Sequence, residues 1–413
     1  MKKIAICIPN YNRIDLFKRL LFQLLSQIKV SEHKSSIEIC ISDDGSETDI
    51  TGEMNEIIND NSDISIKFHR FPKNTGLMNN MKYSVEMSDA EYCWIIGNDD
   101  MLYDNAVDMI IENIDNGDIL MFPIMEHSKK ENKVIYPSKN DMNSRIFDFS
   151  KKEDFELWFD NIDMKAKQGN NAGLFIFISN IIFKKSNWDK YSRNCDWDNN
   201  SLFHQSYIHL KTLFNDGIMY YFSAPLVVRN ATFDGYIVMS KRIFFSYCVV
   251  RDICDFISYF FDGELEKKFL NENCFFHFYG CIMNSDELSV SQKQQIKSIK
   301  AEPIEILNEI FIPASEYSKL RDKTILLFGS GEYGIIAKSK LESNGIKAGY
   351  YIDNDKTKHG KFIDGVEIIS PEKSLEIPDG IYIITAYVQT AFCDVYKQLK
   401  QMNIPSSSIL AVI

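Results

Sequence analysis

The sequence WIIGNDD at residues 94–100 joins an apolar run, a glycine and two adjacent carboxylates. The apolar run is typical of a buried strand, and the glycine marks its end. Adjacent carboxylates repel each other, so Asp99 and Asp100 at the end of such a strand favour a nearby cation. Taken alone, however, Asn98-Asp99-Asp100 is more commonly a turn that leads into a helix cap. The neighbouring segments have to decide between these interpretations.

Three earlier segments share this arrangement, because each is a short apolar run followed by polar residues and then by a helical pattern. The runs are KIAICI (3–8), IEICIS (37–42) and ISIKFHR (64–70). Alternating strands and helices predict a parallel α/β sheet, in which ligands bind beyond the carboxyl ends of the strands. We therefore expect four polar segments along one edge of the sheet: 9–13, 43–46, 74–76 and 97–100.

Bulk composition limits the class of protein. A chain of 413 residues, 45% hydrophobic and 13% aromatic, is long enough for two or three folded domains. The net charge of −12 argues against binding to nucleic acid through phosphate neutralisation. Nine cysteines without a CxxC pair or zinc-like spacing indicate reduced thiols. Without a signal-peptide pattern or an apolar stretch near about 18 residues, the sequence predicts a soluble, cytoplasmic protein.

The chain divides into three predicted parts. Residues 1–235 carry the strand-end motifs. Residues 236–319 are dense in Phe and Tyr at helical spacing, which predicts a helical connecting region. Residues 320–413 include TILLFGSGEYG (324–334), a strand that runs into the glycine pattern of a nucleotide-binding turn. The predicted fold class is therefore α/β at both ends of the chain.

The four strand-end motifs, in their order and spacing, resemble the nucleotide-sugar glycosyltransferases of family 2, which have the GT-A fold. Within that family the sequence is similar to O-antigen and capsule enzymes of the abequosyltransferase-like group. The resemblance implies an inverting transfer of a sugar from a nucleoside diphosphate, of the UDP or dTDP type. The implied acceptor is a hydroxyl of a glycan or lipid-linked oligosaccharide in surface polysaccharide synthesis. The matching pieces are IPNYNR (8–13), ISDDGSETD (41–49), residues 74–100 and APLVVRNAT (224–232).

The resemblance also implies a divalent metal, Mn²⁺ or Mg²⁺, that bridges a carboxylate and the donor diphosphate. Members of the family carry Asp-x-Asp-Asp, whereas this chain has Gly97-Asn98-Asp99-Asp100 and lacks the first aspartate. Asp99 is the implied metal ligand, with Asp100 as a helper or a helix cap. The missing carboxylate implies weaker metal binding, or a metal held more by diphosphate and water.

A set of nucleotide-sugar contacts follows from the same resemblance. Asp43 matches a position that accepts a hydrogen bond from a pyrimidine base, and the Arg229 guanidinium suits diphosphate oxygens. Structural alternatives stay open: an Asx turn for Asp43, an N-cap for Asn74 and a salt bridge for Arg229. The implied contacts are Pro9, Asn10, Arg13, Asp43, Asp44, Asn74, Asn80, Asn98 and Arg229.

The catalytic base is the least defined group. Inverting members of the family use a carboxylate, often in a Glu-Asp pair, to take the acceptor proton. The corresponding stretch, 195–214, contains no such pair, which leaves His204, Asp196 and Asp198 as candidates. A neutral imidazole is a competent base near pH 7, although a histidine beside the apolar face of a helix is often structural.

The C-terminal part resembles the Rossmann-like module found beside sugar-nucleotide enzymes. A turn formed by Gly329, Gly331 and Gly334 would present backbone N–H groups to a phosphate, and Asp353 would suit a ribose hydroxyl. The resemblance implies a second nucleotide site there, for NAD or a nucleotide-sugar. A degenerate module that serves packing, oligomer contacts or acceptor capture is the alternative.

Two other functions stay open from the sequence alone. One is a nucleotide-sugar-binding protein of the same fold with little or no turnover, which the missing first aspartate and the absent Glu-Asp pair favour. The other is an NAD-dependent oxidoreductase, which only the C-terminal glycine pattern supports. The sequence is also compatible with self-association and with peripheral contact at the inner face of a membrane. The aromatic face of region 236–319 is the candidate membrane surface, although core packing is the favoured interpretation of that face.

Overall fold

The computed structural model describes residues 2–128, 133–135, 142–161, 175, 177–197, 201–215, 217–229, 239–273, 276–386 and 390–412. The chain divides into two compact units, Met1–Asp234 and Gly235–Ile413. In the described part of the chain, no helix is both long enough and apolar enough to cross a membrane.

The first unit is an α/β domain. Its strands are β1 (Ile4–Asn10), β2 (Ile37–Asp43), β3 (Ser65–Arg70), β4 (Tyr92–Ile95), β5 (Met101–Leu102), β6 (Ile119–Met121), β7 (Ile124–Ser128), β8 (Lys133–Ile135), β9 (Arg145–Asp148), β10 (Ile181–Lys184), β11 (Ile218–Tyr221) and β12 (Val227–Arg229). Its helices are α1 (Ile14–Val30), α2 (Thr51–Asp60), α3 (Leu77–Glu86), α4 (Ala106–Asn113), α5 (Lys152–Asn161), α6 (Lys185–Tyr191) and α7 (His204–Phe214).

The main sheet of this unit has the order β3-β2-β1-β4-β10-β6-β11-β9 among the described strands. Strands β3, β2, β1 and β4 run parallel, as the alternating pattern predicted, and β10 pairs antiparallel with both β4 and β6. All seven residues of β1 and of β2 are buried, which is typical of parallel strands covered on both faces. This arrangement brings the carboxyl ends of the first four strands to one edge of the sheet.

A second, smaller sheet has the order β5-β12-β7-β8 among the described strands. Strand β5 follows Asp100 directly and pairs antiparallel with β12, which places Val228 opposite Met101. This small sheet therefore starts at the predicted metal motif and brings the 227–229 segment alongside it. Asn98 and Asp99 form a turn that leads into strand β5. The alternative, a turn that leads into a helix cap, is therefore not what the structure shows.

Helix α1 shows how local sequence determines an element here. Its apolar residues recur at helical spacing, and six of them are buried. The buried face consists of Phe17, Leu20, Leu21, Leu24, Leu25 and Ile28. This face belongs to one apolar core with residues of β1, β2 and β4, and this shared burial anchors the helix.

The second unit contains a helical region followed by another α/β sheet. Its helices are α8 (Met239–Phe260), α9 (Gly263–Asn273), α10 (Tyr279–Asn284), α11 (Val290–Lys297), α12 (Glu302–Ile310), α13 (Glu332–Glu342), α14 (Pro371–Ser374) and α15 (Thr390–Gln401). Its strands are β13 (Thr324–Phe328), β14 (Ala348–Ile352), β15 (Phe362–Ile363), β16 (Val366–Ile369), β17 (Gly380–Ile384) and β18 (Ile409–Ala411). The described strands form one sheet in the order β15-β16-β14-β13-β17-β18, parallel except for β15.

Residues 236–319 are helical in their described part, which agrees with the predicted character of the connecting region. The helical region and the C-terminal sheet belong to one compact unit, and the boundary between the two units lies between residues 234 and 235. The division of the second unit into two separate domains at residue 319 stays a prediction.

Candidate active site

The ends of three adjacent strands bring polar side chains into register at one edge of the main sheet. Asn10 ends β1 opposite Asp43 of β2, and Asp43 in turn lies opposite Arg70 at the end of β3. Pro9 is buried one position earlier, opposite Ser42, and its ring contributes no N–H donor to the strand. The predicted convergence of the strand-end motifs is therefore present for these segments.

Asn10 is the centre of a buried hydrogen-bond network. Its Nδ2 donates to Asp43 Oδ1 over 2.7 Å, and its Oδ1 accepts from Asn98 Nδ2, also over 2.7 Å. Its backbone oxygen accepts from Asn80 Nδ2 over 3.0 Å, and Asn80 Oδ1 accepts from Ser42 over 2.6 Å. Three predicted site residues from separate segments are thus joined directly to Asn10.

The Asp43 carboxylate is fully buried and has several partners. It accepts from the backbone N–H of Ser46 over 3.1 Å and from the Ser46 hydroxyl, and its Oδ2 lies 3.3 Å from Arg70 Nε. The Ser46 N–H is three residues on from Asp43, so these contacts close the turn after β2 but are not the bond that defines an Asx turn. The Arg70 side chain is 23% exposed, so Arg70 is the member of this pair that a ligand reaches first.

Sequence reasoning did not select Ser46 or Arg70 as site residues. Ser46 lies within the motif ISDDGSETD (41–49), and Arg70 is the last residue of the predicted strand ISIKFHR (64–70). A charged residue at the carboxyl end of a parallel strand, beside two other strand-end motifs, was the signal that indicated Arg70.

Asp44 holds the loop that leads into α3. Its carboxylate accepts from the N–H and the hydroxyl of Thr75, both over 2.7 Å, and from the N–H of Gly76 over 3.0 Å. Burial raises the pKa of Asp44, although the bonds from Thr75 and Gly76 oppose that shift. Asn74 is exposed and accepts from the same Gly76 N–H over 3.1 Å. The N-cap of α3 is Gly76, with a φ of 96°, so Asn74 does not cap this helix.

Asp99 and Asp100 lie in different surroundings although they are adjacent. Asp99 forms an ion pair with Arg13, and both side chains are 21% exposed. The backbone oxygen of Asp99 accepts from Arg19 Nη2 over 2.8 Å. Asp100 is buried and accepts from Ser179 Oγ over 2.6 Å. Asp99 is therefore the accessible carboxylate of the motif.

Gly97 occupies the place of the family's first aspartate, and its surroundings show what a side chain would meet there. A Cβ at Gly97 would lie 3.0 Å from Asp100 Oδ2 and 3.3 Å from Asp99 Oδ1. Both carboxylates therefore border the space above Gly97. The N–H of Gly97 donates to Ser179 Oγ over 2.8 Å, so Ser179 links the glycine to Asp100.

The two carboxylates fit a hard divalent cation, because Mn²⁺ and Mg²⁺ prefer oxygen ligands. Among the described residues, however, no group of three or more His, Cys, Asp or Glu side chains is arranged to hold a metal. The motif supplies two carboxylates at most, so further oxygens would have to come from a bound ligand or from water. Dependence of the metal on diphosphate and water, which the missing aspartate implies, stays a prediction.

Arg229 ends β12 beside this motif. The antiparallel pairing of β12 with β5 places Val228 opposite Met101. Continued by one residue, the same register would place Arg229 opposite Asp100. The guanidinium carbon of Arg229 lies 6.0 Å from the centre of the Phe177 ring. Contact between Arg229 and a donor diphosphate stays a prediction.

One candidate base, His204, is the first residue of α7. His204 is buried, and its ring stacks on Trp197 with 4.6 Å between the ring centres. Its Nε2 lies 2.9 Å from the backbone oxygen of Asp196, so Nε2 carries a proton there, because a carbonyl oxygen only accepts. The Asp196 residue is exposed. Asp198 lies outside the described residues.

In the second unit, the predicted glycines form a strand-to-helix turn. Gly329 has a φ of 118°, and a Cβ at Gly334 would lie 2.1 Å from the Gly329 oxygen, so these two glycines allow close helix–strand packing. Nothing lies within 4 Å of a Cβ at Gly331.

Asp353 is already bound to this turn. Its carboxylate accepts from the Ser330 hydroxyl and from Lys358 Nζ over 2.8 Å. Burial alone would raise the pKa of Asp353, but these two partners hold that pKa below its usual value. Binding of a nucleotide at this turn stays a prediction.

The first unit has the sequence signature of a known family. Residues 5–189 match the family described as glycosyl transferase family 2. The chain carries a family 2 glycosyltransferase domain. The strand-end residues just described lie at the edge of this domain's main sheet, and the predicted GT-A fold is confirmed.

A curated relative and two crystal structures extend this comparison. The glycosyltransferase is 27% identical to the abequosyltransferase RfbV of Salmonella typhimurium over 274 residues, which cover 65% of this chain and 76% of the relative. Its fold is similar to that of residues 1–349 of S. aureus TarS, with a TM-score of 0.50, 15% identity, and 72% and 81% of the two chains covered. A longer TarS structure gives a TM-score of 0.51 at 15% identity, with 74% of this chain and 50% of that chain covered.

Proposed function

We propose that this glycosyltransferase moves a sugar from a nucleoside diphosphate donor, of the UDP or dTDP type, to a hydroxyl of a glycan or lipid-linked oligosaccharide, with inversion. The observation that carries the proposal is the convergence of Asn10, Asp43, Arg70, Arg13 and Asp99 at one edge of the family 2 domain's sheet. An edge beyond the carboxyl ends of parallel strands is where α/β proteins bind nucleotides. The 27% identical relative is named for the transfer of abequose, which supports a role in surface polysaccharide synthesis.

In this proposal, different residues contact the diphosphate and the nucleoside of the donor. Arg13 and Arg229 would contact the diphosphate, because guanidinium groups match phosphate oxygens in two-point hydrogen bonds. Asp43 would orient Arg70 and Asn10 beside the nucleoside, since its buried carboxylate is bonded to both. Asp44, through Thr75 and Gly76, would hold the loop before α3 against the same pocket.

Asp99 and Asp100 would hold the divalent cation, Mn²⁺ or Mg²⁺. When bound, that cation supplies electrostatic stabilisation of the charge that develops on the leaving diphosphate. On the acceptor side, His204 or one of the aspartates at 196 and 198 would accept the proton from the attacking hydroxyl. The Trp197 ring stacked on His204 would keep the imidazole in one orientation.

Ligand-induced stabilisation tests this proposal on the full-length protein. A ligand that binds only the folded state raises the apparent melting temperature, so UDP, dTDP, GDP and NAD are compared with and without Mn²⁺. We expect a Mn²⁺-dependent shift with a pyrimidine diphosphate, which Asp99→Asn abolishes. The matched control is Asp63→Asn, because Asp63 is an exposed aspartate paired with Lys34. Stabilisation by NAD alone would contradict the proposal.

Turnover is measured on the same proteins. Transferases hydrolyse their donor slowly when no acceptor is present, so release of the free nucleotide from UDP-sugars or dTDP-sugars reports on chemistry. We expect release by the wild-type protein and at least about a hundredfold less by Asp99→Asn, in line with loss of a group that stabilises the transition state. Binding of donor without any release would favour the inactive nucleotide-sugar-binding protein.

A further inference from the structure

The ion pair between Arg13 and Asp99 places a fixed cation on the carboxylate that is proposed to hold the metal. We infer that Arg13 competes with the divalent cation for Asp99, and that the donor diphosphate relieves this competition by drawing the guanidinium to itself. This inference rests on the proposed function and deepens it. Its consequence is that metal and nucleotide bind cooperatively, each weakly without the other.

The backbone of the first loop is shaped to aim Arg13 at the motif. Asn12 and Arg13 have φ values of 54° and 52°, a left-handed conformation that is uncommon for residues with a side chain. The Asn12 N–H donates to Ser46 Oγ over 2.7 Å, and its side-chain oxygen accepts from the Glu47 N–H over 3.0 Å. The Arg13 oxygen accepts from two N–H groups in the first turn of α1, each over 3.0 Å. The loop is thus fixed at both ends.

Asp99 is held from its other side as well. Arg19, one and a half turns further along α1, donates to the backbone oxygen of Asp99 over 2.8 Å. The Asp99 carboxylate uses Oδ2 for the ion pair with Arg13, while its Oδ1 borders the space above Gly97. Arg19 of α1 therefore holds the Asp99 backbone, while Arg13, directly before this helix, neutralises the Asp99 carboxylate.

Charge repulsion explains why the metal and the Arg13 guanidinium compete for Asp99. A divalent cation that binds Asp99 is repelled by a guanidinium on the same carboxylate, because like charges at contact distance disfavour each other. A diphosphate carries enough negative charge for both cations, and a guanidinium binds phosphate oxygens at two points. Since Arg13 and Asp99 are both partly exposed, the exchange needs no opening of the core. Coupling of this kind is reciprocal, so metal also strengthens nucleotide binding.

Gly97 makes the competition possible. An aspartate at this position would add a third carboxylate beside Asp99 and Asp100, so the motif would carry one more negative charge with Arg13 in place. With glycine there, one guanidinium neutralises the accessible carboxylate. The glycine that replaces the family's first aspartate therefore favours the ion pair between Arg13 and Asp99.

The test is direct binding of Mn²⁺, followed by electron paramagnetic resonance of the free ion, on the full-length protein with and without UDP. Without UDP, Arg13→Gln should bind Mn²⁺ at least about fivefold more tightly than the wild-type protein, the lower end of typical coupling between sites. UDP should tighten Mn²⁺ binding by the wild-type protein, and by a smaller factor in Arg13→Gln. The control is Lys18→Gln, which removes a positive charge from the same helix, where Lys18 pairs with Glu53 over 2.7 Å.

The outcomes are distinct. If Arg13→Gln binds Mn²⁺ no more tightly than the wild-type protein without UDP, or if Lys18→Gln gives the same gain, the inference is overturned. If the wild-type protein binds neither UDP nor dTDP by calorimetry at any Mn²⁺ concentration, the proposed function fails. The Mn²⁺ affinities measured without nucleotide still decide the role of Arg13 in that case.

Discussion

Asn10 joins three segments of the glycosyltransferase domain through one buried side chain. Its amide bonds Asp43 and Asn98, and its backbone oxygen bonds Asn80. The first two partners are a buried carboxylate and a buried amide, which are costly to leave without a hydrogen-bond partner. Asn10 therefore stabilises the pocket as a unit before any ligand binds.

Asn10→Ala is expected to lower the free energy of unfolding of the glycosyltransferase domain by about 2–3 kcal/mol, because two buried polar partners lose their bonds. Urea unfolding measures this change. Asn116→Ala is the matched control, because Asn116 is exposed and its amide bonds one backbone oxygen, that of Asn113, over 3.0 Å. A loss of less than about 0.5 kcal/mol in Asn10→Ala, as is usual for surface substitutions, would contradict a central role for this amide.

His209 gives the folded domain a predicted pH dependence. The ring is buried against Phe183 and Trp188, and burial lowers its pKa to about 3. In the unfolded chain the pKa is about 6.5, so below that pH the unfolded state binds more protons. The stability contributed by the neutral ring is complete above about pH 6.5 and is lost as pH falls, by about 1.4 kcal/mol per unit.

Urea unfolding at pH 7.5 and pH 5.5 tests this sign. The wild-type protein should lose about 1.4 kcal/mol more than His209→Leu between the two pH values. The cavity that leucine leaves is present at both pH values, so its effect cancels when the pH-dependent losses of the two proteins are compared. An equal pH dependence of the two proteins would show that the folded state protonates this ring as readily as the unfolded chain does.

Helix α13 begins at a turn whose glycines have unequal roles. Gly334→Ala would put a Cβ 2.1 Å from the Gly329 oxygen, a distance that the backbone relieves only by moving. Overpacking of this kind typically costs about 1–3 kcal/mol or more. Gly331→Ala is the matched control, because nothing lies within 4 Å of its Cβ. We expect thermal unfolding to show a lower melting temperature for Gly334→Ala and little change for Gly331→Ala.

This pair of variants also separates two explanations of the glycine pattern. If the pattern serves packing alone, NAD and UDP should leave the C-terminal unit of Gly331→Ala and of the wild-type protein equally stable. A ligand shift that Gly331→Ala abolishes would instead support the predicted nucleotide site at this turn, because a phosphate there needs close approach to the backbone.

At the scale of the whole molecule, the two compact units have separate sheets and separate apolar cores. Differential scanning calorimetry is therefore expected to resolve two transitions. UDP with Mn²⁺ should raise only the transition that Asn10→Ala lowers, since ligand binding stabilises the unit that contains the site. Gly334→Ala should lower the other transition. A single transition that responds to both variants would contradict this expectation.

Local sequence was sufficient for the framework of the first unit. The apolar face of α1 and the first four strands followed from side-chain periodicity, which depends only on near neighbours along the chain. The polar residues at 43–46 and 97–100 were predicted at one edge for the same reason, since parallel strands all end on the same side. The later strands β6, β7, β9 and β11 were not predicted, because they are short and carry weak alternation.

The sequence by itself determined the first four strands, where their polar ends lie and which family the motifs resemble. Only the tertiary structure decided the partners: Arg13 with Asp99, 86 residues apart, and Ser179 with Asp100, 79 residues apart. Contacts over such separations depend on how distant segments pack, and a short pattern carries no information about that. The same packing buries Asp43 and leaves Arg70 partly exposed, so the accessible surface of the pocket is a property of the fold.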